Sequence, residues 1–211
     1  MLTDEIKDNI MKCSKLVEVE DIYRPYKEKK KTKATEAIAL GLEPLAKMMM
    51  TFPTTGDIDK LCSKFINDKV PNTENAVTGA CYIIAEWISD NAFYRKWIRS
   101  YFYKNGIITS KLKKGAEDEN KIYEMYYDFD EPVSKLPGHR VLALNRGEKE
   151  KILTVKVTAP REEVLRYLHK QIVVRDNPYT TPVLEAVMED SYDRLIAPAI
   201  EREIRNYLTE Q

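Results

Sequence analysis

Six cations, Arg24, Lys27, Lys29, Lys30, Lys31 and Lys33, stand between residues 24 and 33 against a single acid, Glu28, a local net charge of +5. A chain total of zero, from 34 basic and 34 acidic residues, hides this clustering. Clustered lysine and arginine attract polyanions, and phosphate contacts gain affinity from counterion release with little demand on sequence order. A second stretch, residues 91–115, holds Arg95, Lys96, Arg99, Lys104, Lys111, Lys113 and Lys114 with no acid at all. These thirteen cations are the candidate nucleic-acid-binding set. Tyr23, Tyr26 and Tyr103 lie beside them and could stack on unpaired bases, although aromatics at helix ends more often cover a core edge.

Two features oppose binding. Like-charge runs commonly serve as solvated connectors. The segment after the second cluster also reverses sign, with Glu117, Asp118, Glu119, Glu124, Asp128 and Asp130 available to quench it. Other chemistry finds no footing. His139 and His169 are thirty residues apart without a partner at ligand spacing, and Cys13, Cys62 and Cys81 form no CxxC. Asp128 with Asp130 could hold a divalent ion, but a turn into Glu131-Pro132 explains the pair as well. GxGxxG, GxxxxGK[ST] and GxSxG are missing, which removes the common phosphate cradles and the serine elbow. The reading is therefore of a protein that is not an enzyme, with no catalytic residue, no metal and no cofactor.

The elements that must position the cations read as helices. Thr3 is a candidate cap for an opening helix with Ile6, Ile10 and Cys13 on one face. Ala34–Leu40 reads as a helix stopped by Gly41, and Pro44 fits the first turn of the next, running from Leu45 through Met50. Asp57–Ile66 is a further short helix. Asn72 or Thr73 caps a stronger pattern, in which Val77, Ala80, Cys81, Ile84 and Ile88 recur at spacings of three and four. Ser89-Asp90-Asn91 breaks it. Tyr94, Trp97, Ile98 and Tyr101 then mark a helix ended by Asn105-Gly106, and the pair forms a helix-turn-helix candidate. At about 100° per residue, Arg95, Lys96, Arg99 and Tyr103 fall opposite the Tyr94/Trp97/Tyr101 stripe and are expected to face outward. Without Asn or Gln there, backbone contact is favoured over base readout.

Leu153, Val155 and Val157 alternate with polar residues and predict one strand, whose partner is Ile107–Thr109 or Ile172–Val174. Pro160 begins a helix through Leu165, Leu168 and His169, and Thr181-Pro182 caps another with Leu184, Val187, Met188 and Leu195 on its stripe. Pro198 must kink or interrupt that helix, while Ile200, Ile204 and Leu208 continue its period.

Two ordered motifs carry a resemblance. Tyr23, Pro25, Tyr26 and Lys27, the basic run, Thr32, Ala34 and Gly41-Leu42-Glu43-Pro44-Leu45-Ala46 closely resemble the signature of the Tex family of bacterial transcription accessory proteins. Asp193-Arg194-Leu195-Ile196-Ala197-Pro198, followed by Glu201-Arg202-Glu203-Ile204-Arg205 and Leu208, looks like that family's segment ahead of its RNase-H-like domain. Weaker similarity at Gly79-Ala80, Ala85-Glu86, Gly106 with Ser110-Lys111, and from His139-Arg140 to Arg146-Gly147 fills the interval. The resemblance implies a central helical piece of a longer protein. It would lack an N-terminal portion, the RNase-H-like domain, a helix-hairpin-helix pair and the C-terminal oligonucleotide-binding-fold domain credited with most of the family's RNA binding.

Composition agrees with helices: 32% charged residues, 43% hydrophobic and only 7 glycines. No run approaches a membrane span, and the start is acidic where a signal peptide is basic, so a soluble, cytoplasmic monomer is expected. The fold class expected is mainly α, a multi-helix bundle with a helix-turn-helix unit and at most a small β element near 152–158. Its segments are 1–51 with the basic linker, 52–130 with the helix-turn-helix, and 131–211 leading toward a further domain. The partner expected is RNA or DNA without sequence preference, with transcription machinery as a further partner class. The alternative is a helical scaffold that docks that machinery without touching nucleic acid.

Overall fold

The computed structural model describes Glu5 and residues 15–27, 30–51 and 57–211. The expected opening helix, with Thr3, Ile6, Ile10 and Cys13, lies outside them. The chain divides into two compact units built from non-consecutive segments, residues 1–95 with 162–196 and residues 96–161 with 197–211. The division expected from the sequence instead followed the chain in order.

The first unit is helical. Helix α1 (Leu16–Tyr23) leads into a 3-10 turn, Arg24–Tyr26. Helix α2 (Lys33–Ala39) starts at a reciprocal cap: the Thr35 N–H donates to Thr32 Oγ1 at 3.1 Å and the Thr32 N–H to Thr35 Oγ1 at 2.7 Å. It stops at Gly41, whose φ of 81° is a left-handed conformation that costs glycine little. Helix α3 (Glu43–Met50) begins two residues before the expected Leu45, because Pro44 sits in its first turn and supplies the helical φ. Helix α4 (Ile58–Cys62) is capped by Asp57, which accepts the Lys60 N–H at 2.7 Å.

Helix α5 (Thr73–Asp90) is capped by Asn72, which accepts the Asn75 N–H at 2.8 Å. Of its expected stripe, Ala80, Ile84 and Ile88 are buried, while Val77 and Cys81 sit half-buried at the margin. The buried arc is wider than one stripe, taking in Ala76, Ile83 and Ala85, because α2, α3 and α4 pack on it together with two later elements of this unit. Burying each isoleucine fully contributes roughly 1.5–3 kcal/mol. Leu42, between α2 and α3, sits where Gly79 of α5 has no side chain: a Cβ there would lie 2.3 Å from Leu42 Cδ1.

Helix α6 (Ala92–Asn105) follows α5 after one residue, Asn91, whose Oδ1 accepts the Tyr94 N–H at 3.0 Å. It carries the chain from the first unit into the second, as its residues 92–95 and 96–105 are divided between them. The chain returns in α8 (Arg161–Ile172) and α9 (Thr181–Asp190), which bury Val164, Leu168 and Ile172, and Leu184, Val187 and Met188. Leu195, expected on the α9 stripe, is half-buried. A π-helical stretch, Ser191–Ile196, packs on α5 with α9. It ends two residues before Pro198, which has no N–H to return to the preceding turn, so the helix is widened locally and not broken.

In the second unit, β1 (Ile107–Leu112) lies between β2 (Asp128–Pro132) and β3 (Leu153–Thr158), antiparallel to both. The partner of the expected strand is therefore the Ile107–Thr109 segment, since Ile172 ends α8. The third strand, Asp-Phe-Asp-Glu-Pro, has little β propensity of its own and owes its conformation to pairing with β1. Ile108, Leu153, Val155 and Val157 are buried. Helices α7 (Gly138–Lys149) and α10 (Ala197–Glu210) both pack on β3, and α10 buries Ile200, Ile204 and Leu208 on the expected period. The protein is thus mainly α with a small antiparallel sheet.

Candidate nucleic-acid interface

Helix α6 departs most from the sequence reading. Arg95 and Arg99, expected outward, are 2% and 6% exposed, on the face shared with Ile98 and Phe102 at 0% and 1%. Tyr94, Trp97, Tyr101 and Tyr103 are half-buried, and only Lys96 and Lys104 of the expected cations on this helix are exposed. Apolar Ile98 and Phe102, four residues apart, set the buried face, and the arginines that flank Ile98 go inside with it because acceptors are waiting. Arg95 donates through Nε to the Ser89 carbonyl and through Nη2 to Ser89 Oγ at 2.8 Å. Arg99 Nε donates to Glu203 Oε2 at 2.7 Å, with the two side chains 8% and 14% exposed. Tyr103 stands edge-on to Tyr207, centroids 4.8 Å apart, and burial, followed by that neighbour, pushes its hydroxyl up to about 12. Arg95, Arg99 and Tyr103 are thus structural, and α6 presents no outward arginine for a groove.

The rest of the second cluster does face water. Lys111, Lys113 and Lys114 are exposed, and none has an ion pair among the described residues. Lys111 lies on the outer face of β1, directly across from Asp128 of β2 and Thr154 of β3. Lys113 and Lys114 sit in the turn after β1, closed by the Ala116 N–H on the Lys113 carbonyl at 3.0 Å. The sheet also places Lys156 beside Thr109 on this outer face. That cation was not singled out from the sequence, where it is one polar position of an alternating strand.

The acids expected to quench this cluster serve the fold in part. Asp118 accepts the N–H groups of Ile122 and Tyr123 at 3.1 and 2.8 Å and the Tyr127 hydroxyl at 2.7 Å, organising the connection from β1 to β2. Desolvation raises its carboxyl, but these hydrogen bonds outweigh it and hold the group below the ordinary range.

In the first unit Lys27, Lys30, Lys31 and Lys33 are exposed, Arg24 is half-buried, and Lys29 lies outside the described residues. Tyr23 and Tyr26 are 39% and 52% exposed. Lys31 reaches Glu36 at 3.4 Å but keeps an 82% exposed side chain, so the contact contributes little. Lys33 Nζ stands 4.9 Å from the centroid of the Tyr82 ring on α5, and the Arg194 guanidinium carbon 5.4 Å from the same centroid. Neither Tyr82 nor Arg194 was singled out as a binding residue, because nothing local marks positions that meet only in three dimensions.

Among the described residues no three or more His, Cys, Asp or Glu are grouped to hold a metal ion, and no helix is long and apolar enough to cross a membrane. Burial, with Asp190 and then Cys62 adding to it, pushes the Cys81 thiol up to about 12, and burial raises that of Cys62, the opposite of an activated nucleophile.

Helices packed on the long helix α5, together with a small three-stranded antiparallel sheet, define the class: a mainly α protein with a minor β element. Residues 54–211 match the family described as Tex central region-like, and the chain belongs to that family. It is 48% identical over 213 residues to the uncharacterized protein YdcI of Bacillus subtilis, covering 100% of this chain and 30% of that protein. It is 28% identical over 196 residues to the transcriptional accessory protein Tex of Neisseria gonorrhoeae, covering 93% and 23%. It is 30% identical over 217 residues to the human S1 RNA-binding domain-containing protein 1, covering 95% and 21%. The chain therefore spans less than a third of the length of each of these relatives.

Proposed function

We propose that this chain is a non-catalytic, nucleic-acid-binding and architectural segment of a Tex-like transcription accessory protein, contacting phosphate without base readout. The observation that carries this reading is the exposure of Lys27, Lys30, Lys31 and Lys33 in one unit and of Lys104, Lys111, Lys113 and Lys114 in the other. Arg95 and Arg99 no longer belong to the candidate set, which leaves half-buried Arg24 and a majority of lysines, suited to charge neutralisation and not to bidentate recognition of guanine. The relatives' printed names, transcriptional accessory and S1 RNA-binding, agree with a nucleic-acid setting. A second reading, a scaffold that docks transcription machinery, is favoured by the inward arginines of α6.

Fluorescence anisotropy against single-stranded RNA and duplex DNA at several salt concentrations separates the two. The binding reading expects K30Q/K31Q to lower the magnitude of the log–log salt slope by about 1.8 on duplex DNA and about 1.4 on a single strand. No binding at low salt leaves the scaffold.

A further inference from the structure

We propose that Lys33 and Arg194 form a two-cation clamp for one phosphodiester group of a nucleic-acid strand, with the Tyr82 ring as the surface that holds both side chains. The inference rests on the nucleic-acid reading and assigns it a site that the lysine run alone does not mark.

The two cations come from opposite ends of the chain, Lys33 from the first turn of α2 and Arg194 from the π-helical stretch, and each lies against Tyr82. Their distances from one ring centroid place the charged centres within roughly 10 Å of each other. Each cation is attracted to the ring π-system, which offsets part of their mutual repulsion.

Two carboxylates, Asp190 and Glu86, act on Arg194. Asp190 takes one edge of the Arg194 guanidinium, accepting from Nε at 3.0 Å and from Nη2 at 2.8 Å. Glu86, one turn from Tyr82 on α5, accepts the Thr32 hydroxyl at 3.1 Å. The arginine is therefore fixed along one edge while Nη1 has no hydrogen-bond partner among the described residues, and a third of its side chain remains exposed. Lys33 is exposed as well. A planar fork held on one edge and open on the other is the arrangement that receives a phosphate oxygen with little ordering cost, and a mobile lysine completes it as a point charge. Exposed Tyr26 belongs to a 3-10 turn that packs on the same helix α5, and Lys30 and Lys31 precede Lys33 along the chain, so a strand held at the clamp has further cations and a stacking surface in this unit.

The test is anisotropy with fluorescent single-stranded RNA, with a phosphoserine peptide as the competing ligand, on the 211-residue chain and three variants. Lys33→Gln, an exposed substitution, is expected to lower the salt slope magnitude by about 0.7 on RNA. Arg194→Lys keeps the charge and loses the fork, and is expected to weaken RNA binding roughly tenfold. In the double variant the losses combine to less than their product, because both groups serve one phosphate. Lys69→Gln, an exposed lysine of the same unit, leaves the slope unchanged, and thermal melts report whether any variant has lost its fold. A purely structural role for Arg194 would move the melting temperature of Arg194→Lys and leave its RNA affinity unchanged. Normal salt-dependent binding that ignores both Lys33→Gln and Arg194→Lys overturns the clamp and spares the lysine-surface reading. Absence of RNA binding by the parent chain overturns both. Loss of phosphoserine-peptide affinity with RNA binding intact overturns the nucleic-acid identity of the ligand.

Discussion

Arg99 illustrates how a residue chosen for one kind of chemistry is used for another. Its guanidinium is paired with Glu203 in a nearly dry setting, where breaking one side of a buried ion pair is costly. Arg99→Ala or Glu203→Ala is therefore expected to cost about 3 kcal/mol, read from urea denaturation, while replacing both with leucine and methionine costs far less. Asp118 makes a prediction of the opposite visibility, at the surface. Its carboxyl is held low in the folded chain, so its contribution is present above the ordinary carboxylate range and disappears as pH falls through the depressed folded value. Asp118→Asn is expected to melt earlier than the parent at pH 7, with the gap closing as the pH is lowered below about 4. A gap that persists into acid would show that the lost acceptor oxygen, not the lost charge, is what destabilises Asp118→Asn.

Between elements, contact is governed by what is missing at Gly79. Leu42, inside the motif that stops α2 and restarts α3, occupies the space a side chain on α5 would fill. Gly79→Ala is expected to destabilise by about 1–3 kcal/mol through overpacking, and Leu42→Val in that background to recover part of the loss, both read from chemical denaturation. The local grammar of these elements was partly legible in the residues. Asn72 caps because its side chain reaches an N–H three positions on, Gly41 stops a helix and Pro44 starts one, whereas the caps at Thr32 and Asp57 were not singled out and Thr181, expected as a cap, is the first residue of α9. The Asp128–Pro132 strand was not legible, because its residues read as an acidic turn and only the register against β1 makes them a strand.

Across the whole molecule, equal numbers of acids and bases coexist with two lysine-bearing surfaces, so affinity is expected to reside in placement and not in net charge. K111Q/K113Q/K114Q is expected to leave stability within about 0.5 kcal/mol and to lower the salt slope magnitude by about 2 on single-stranded RNA, measured by melts and anisotropy side by side. The sequence by itself determined the helical class, the Asn72 cap, the Gly41 stop, the strand at Leu153–Thr158 and the clustering of lysine, because each depends on neighbours within a turn or two along the chain. Which face of α6 is buried, whether Arg95 and Arg99 meet water or Ser89 and Glu203, and that Lys33 and Arg194 share one tyrosine were decided by tertiary structure alone. The reason is physical. A guanidinium can enter an interior only if acceptors are supplied there, and for Arg99 that acceptor, Glu203, comes from a part of the chain that no local pattern connects to it, just as no local pattern connects Arg194 to Tyr82.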